Sequence, residues 1–113
     1  MARRNKLKAP NTEYRSPDGD VLVLRGSMTL GTRREYAETV GGSPLSQEDA
    51  WHRAVEFLFE RLAVSWAVSG VDPIKRQKEL LARFRMASQD ERRWIRDVLR
   101  EHLAENFPEL TPP

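Results

Sequence analysis

The stretch Trp51–Trp66, WHRAVEFLFERLAVSW, constrains this chain more than any other. At about 100° per residue it places Trp51, Val55, Leu58, Leu62 and Trp66 along one side of a helix, with Ala54 and Phe59 at the margins. Ala50, Phe57, Val64 and Val68 align on the opposite side. Glu56 and Glu60 separate the stripes on one flank and Arg61 on the other. An isolated amphipathic helix needs only one such stripe. Two stripes predict either a central helix packed on both sides or a helix with one stripe turned to another chain. In the first arrangement a hairpin and a first helix cover one stripe and the last two helices the other. In the second, Ala50, Phe57, Val64 and Val68 are partner-binding residues. Both can hold in an obligate oligomer.

The flanking segments complete a fold. Pro17-Asp18-Gly19 lies between two short extended runs and predicts a β-hairpin. Val21 to Leu24 are apolar on both sides, so the second strand should be covered rather than left as an open edge. A short helix is predicted from about Thr32 to Gly41-Gly42. The main helix follows, with Ser46 as N-cap, acids in its first turn, and an end near Val68 before Ser69-Gly70. Asp72-Pro73 signals the start of a third helix over IKRQKELLARFRM. Ser88 and Glu91 form a capping box for a fourth, through about Glu105, which the prolines of NFPELTPP end. The expected class is mainly α with a short N-terminal β-hairpin, an α+β fold of about four helices around a long central one.

A chain of 113 residues is one domain by length. Residues 12–107 are expected to form it, between a flexible basic arm at 1–11 and a C-terminal tail at 108–113. With 39% hydrophobic and 32% charged residues, the sequence is globular, and no apolar run approaches the ~20 residues of a membrane span. The lack of cysteine removes disulfides and thiolate metal sites. MARRNKLKAP has no apolar core after its charges, so a cytoplasmic location is expected. Residues 1–15 carry five basic side chains against Glu13, a net of +4, which leaves −2 for the rest of a chain whose total is +2. Whole-protein attraction to nucleic acid does not follow from that distribution.

On the fourth helix, Ile95, Val98, Leu99, His102 and Leu103 form one stripe. Arg92, Arg93, Arg96 and Arg100 share an adjacent arc. A same-sign ladder at i, i+4 is unfavourable unless something anionic faces it: a neighbouring helix, a partner protein or a phosphate backbone. The last two helices could imitate a helix-turn-helix, with these four arginines as nucleic-acid contacts. Against it, the turn lacks glycine, and Asp90, Glu91 and Asp97 interrupt the face.

Little else suggests chemistry. His102 reads as a satisfied histidine within an apolar stripe. His52 has Glu48 and Glu56 at helical i±4, a pattern commoner as solvated charge than as a metal site. The carboxylates have basic neighbours, as in Asp49 with Arg53 and Glu79 with Arg83. Gly26 and Gly41-Gly42-Ser43 lack the context of a phosphate loop. Trp51, Trp66, Phe84 and Trp94 are spaced like core aromatics, though Trp94 projects at the acidic edge of its stripe and joins the partner-contact candidates. No catalytic residue, metal or cofactor is expected.

The succession GDVLVLRGSMT, RREYAE, AVEFLFERLAVSW, LLARFRMASQDERRWIRDVLREH and FPEL resembles small tail assembly chaperones and tail-gene-cluster proteins of long-tailed phages and prophages, across residues 14–110. The resemblance implies a non-enzymatic protein that binds the tape-measure helix while tail-tube subunits polymerise around it, in the host cytoplasm. It transfers no individual site residue. The alternatives are a small nucleic-acid-binding regulator using the arginine-rich helix and the arm, and a structural virion or self-associating subunit.

Overall fold

The hairpin and the helices assemble around one buried helix. The structure, a computed structural model, describes residues 9–41 and 47–113. Their order is β1 (Thr12–Arg15), β2 (Val21–Leu24), α1 (Leu30–Gly41), α2 (Gln47–Leu62), β3 (Ala63–Ala67), α3 (Gln77–Arg85) and α4 (Gln89–Asn106). The class is as expected: four helices and a small antiparallel sheet that begins with an N-terminal hairpin.

Gly19 closes the hairpin turn at φ 93°, and its amide donates to the Ser16 carbonyl at 3.1 Å. The β1–β2 register runs from Thr12 opposite Leu24 to Arg15 opposite Val21. β2 is the middle strand of the three, which is how both its edges become covered. Leu22 and Leu24 point into the core with Trp66. Gly26 is needed where the chain enters, because a Cβ there would collide with the Pro10 carbonyl and with Ala9.

The main helix differs from expectation. It ends at Leu62, and the chain passes directly into β3 instead of coiling on to Val68. Two forces favour this. β2 has an outer edge whose amides and carbonyls need partners, and Val64-Ser65-Trp66 is a β-branched and aromatic run that suits a strand. The cut carbonyls at the end of α2 are taken up locally. The Arg25 amide donates to Leu62 at 2.8 Å, its guanidinium to Arg61 at 3.2 Å, and Gln77 to the Glu60 carbonyl at 3.1 Å. Val64 is the extra residue of a bulge, since Leu24 pairs with Ala63 and Val23 with Ser65. Ala50, Phe57, Val64 and Val68 therefore do not form one continuous stripe.

The third helix also starts later than expected. Ile74 exchanges two backbone hydrogen bonds with Trp66, at 2.9 and 3.0 Å, so Asp72 and Pro73 belong to the turn before that bridge. α3 begins at Gln77 with Arg76 at its N-cap and no side-chain cap. α1 begins at Leu30, with the Thr29 hydroxyl accepting from the Thr32 amide at 3.1 Å. The Ser88–Glu91 capping box is present, with its two bonds at 2.9 and 3.1 Å. Gly42, Ser43 and Ser46, and the arm up to Lys8, lie outside the described residues.

α2 is central. On one side α1 brings the Tyr36 ring to 6.2 Å from Phe57; on the other α3 stacks Phe84 on Phe59 at 4.8 Å. This is the two-sided packing that explains most of its apolar girth. Among the described residues no helix is long and apolar enough to cross a membrane.

Candidate partner-binding site

The two faces of α4 have opposite characters. On the inner face His102 is fully buried and ties three elements together. Its Nε2 lies 2.6 Å from the Arg25 carbonyl, which can only accept, so the proton sits on Nε2. Nδ1 then accepts from the Tyr14 hydroxyl at 2.8 Å, and the Asn106 amide stands 3.3 Å away. Burial holds the imidazole below its ordinary pKa, against the opposing pull of the Arg25 carbonyl and of Glu105 and Glu101. Burial, reinforced by Glu105 and Glu101, pushes the Tyr14 phenol up to about 12, so it remains a donor. This is the satisfied histidine expected from the sequence.

On the outer face the arginine ladder meets its own chain. Arg92 donates from Nη2 to the Arg85 carbonyl at 2.8 Å and from Nε to the Ala87 carbonyl at 3.3 Å, satisfying groups at the end of α3. Arg96 and Arg100 both donate to the backbone oxygen of Pro113, at 3.1 and 2.8 Å. The C-terminal segment is drawn back across the helices by Phe107, which is buried, by Arg33 with Glu109 at 3.0 Å, and by the Tyr36 hydroxyl, which donates to the Thr111 carbonyl. Of the four, only Arg93 lacks a backbone acceptor among the described residues. It pairs with Asp90 at 3.3 Å, with both side chains in solvent.

Between α2, the end of α3 and the first half of α4 lies a cleft of about 420 Å³. Val55 and Phe84, both buried, and half-buried Trp51 give it an apolar base. Arg92, Arg93 and Arg96 stand at its rim. The Arg96 guanidinium lies 4.6 Å from the centre of the Trp51 ring, and that of Arg92 lies 5.1 Å from Phe84. Helical spacing showed Trp51 and the arginines separately, on two different helices. That they meet is a matter of helix packing, which no spacing within one helix encodes.

The residues expected to contact a partner are dispersed. Ala50 is buried. Phe57 is half-buried beneath Arg61, at 4.7 Å from the ring centre, and Val64 is half-buried in the bulge. Val68 and Trp94 meet in a separate notch of about 490 Å³, with Asp18, Asp20, Asp90 and Glu91 around them. There Asp20 accepts from the Ser69 amide at 2.8 Å. Glu91 binds Arg83 at 2.6 Å, and that bond, opposed by partial burial, holds its carboxyl below the usual range.

His52 and Glu48 form a loose, exposed pair at 3.8 Å, while Glu56 instead bonds Arg85 at 3.0 Å. Among the described residues no group of three or more His, Cys, Asp or Glu is placed to hold a metal. No protein-family model, curated protein or solved structure matches this chain.

Proposed function

We propose that this chain is a non-enzymatic binding protein that holds a segment of another protein, as its resemblance to tail assembly chaperones implies, with the tape-measure helix as partner. The observation that supports this reading is the cleft between α2 and α4. It has an apolar base for an anchoring side chain and a charged rim that gives direction to binding, the usual make-up of a reversible protein contact. The contact surface moves accordingly, from the stripe of Phe57, Val64 and Val68 to the side of α2 that carries Trp51. DNA binding through α4 has less support, because Asp90, Glu91 and Asp97 interrupt the arginine face. Coexpression tests the role. With this protein, the tape-measure protein of the same genome should be recovered in the soluble fraction as a complex. An unchanged, insoluble tape-measure protein contradicts it.

A further inference from the structure

Resting on that reading, we infer that the α2–α4 cleft takes an acidic peptide segment bearing one bulky apolar side chain. The apolar anchor sits on Trp51, Val55 and Phe84, and the flanking carboxylates meet Arg92, Arg93 and Arg96.

Charge selects the sign of the occupant. The cleft gathers three arginines against one lining carboxylate, Glu48, which already faces His52. The body as a whole is slightly acidic, with a net −2 beyond residue 15, those arginines included. The two peptide carbonyls that hold Arg92 leave its positive charge in place, whereas Arg93 meets the solvated carboxylate of Asp90 and Arg96 an oxygen of the last residue, Pro113. Each guanidinium has five N–H donors. Arg92 uses two of them, and Arg93 and Arg96 one each. Arg92 and Arg96 also stand over aromatic rings, which limits the freedom they lose on meeting a carboxylate.

Shape selects the class. At about 420 Å³ the cleft is near the lower end of the ~300–1,000 Å³ range of ligand pockets, enough for an anchoring side chain and its neighbours rather than a whole helix.

The three tryptophans make the test site-specific, since Trp51 lines the cleft, Trp94 the acidic notch, and Trp66 the core. The ¹⁵N-labelled full chain is titrated with a short helical peptide carrying one phenylalanine flanked by glutamates, and with its glutamine counterpart. The Trp51 indole resonance should move saturably while those of Trp66 and Trp94 stay, and the glutamine peptide should bind about tenfold more weakly. Arg93→Glu should weaken the acidic peptide by a similar factor without changing the unfolding midpoint, and Arg76→Glu, away from the cleft, should do neither.

A silent Trp51, a response at Trp94, or equal binding of both peptides overturns the proposal. So does a Trp51 shift that appears on concentrating the protein alone, which marks a second copy as occupant, or tighter saturation by ATP or an oligonucleotide. Failure here with successful recovery of the tape-measure protein moves the partner to another surface. Peptide binding without that recovery leaves the cleft assigned and removes the proposed role.

Discussion

The two ends of α2 are built from the same kinds of residue and end up in opposite conditions. At its C-terminal end Leu58, Phe59 and Leu62 have no exposed surface, and the last carbonyls are closed off by Arg25 and Gln77. At its N-terminal end Trp51 remains half-exposed beside a charged cleft, with His52 and Arg53 in solvent. The sealed end holds the fold together, whereas the more open end is where we propose that another molecule binds. Amphipathic spacing alone does not separate the two. What separates them is which neighbours arrive, since a strand, a sheet edge and α3 close one end, while among the described residues the arginine side of α4 meets Trp51 near the other.

Mutations should separate them by size of effect. Leu58→Ala, at the sealed end, should cost about 3–5 kcal/mol, because it leaves a cavity with no route to relax; urea unfolding measures it. His102→Ala should follow at about 2–3 kcal/mol, since it strands the Tyr14 hydroxyl and the Arg25 carbonyl without partners.

His102 also sets a pH dependence. Its folded pKa lies below the ordinary 6.5, so the unfolded chain takes up the proton first as the pH falls. Its contribution is complete above pH 6.5 and is lost as the pH falls from there through the folded value. Urea midpoints at pH 7.5 and 5.5 should therefore differ more for the native chain than for His102→Ala. Glu91, held down by Arg83, acts lower, losing its contribution as the pH falls below the ordinary value of 4.5 towards its folded value.

Trp51→Ala, at the open end, should cost only about 1–2 kcal/mol, part of it the contact with Arg96, while abolishing peptide binding. Arg93→Gln should fall within about 0.5 kcal/mol of the native protein, since its one ion pair is solvated. A Trp51 variant as unstable as Leu58→Ala would erase the distinction between the two ends.

The parts legible in the sequence were those set by local chemistry. Pro17-Asp18-Gly19 specified its turn, and Ser88 with Glu91 specified the start of α4. The apolar stripe of α4 foretold the place of His102. What stayed hidden was set by partners distant in sequence. Ala63–Ala67 fits helical and strand periods alike, and the free edge of β2, some forty residues earlier, decides between them. The same edge effect, passed on through Trp66, delays α3 to Gln77. The arginine ladder raised the right question about an opposing group. Its answer lies in the carbonyls of α3 and the oxygen of Pro113, which only the return of the C-terminal segment brings near. The cleft was half visible, with an aromatic on α2 and an arginine arc on α4, but their meeting depends on how the helices pack.

The central claim is that a partner meets this protein at the open end of α2 and not along the side that carries Val64. Photocrosslinking tests it directly. A photoreactive benzoylphenylalanine replaces exposed His52 in one variant and Val64 in the bulge in another, each coexpressed with the tape-measure protein. The expected result is a crosslinked product from position 52 and none from position 64. A product from position 64 with nothing from position 52 would contradict it.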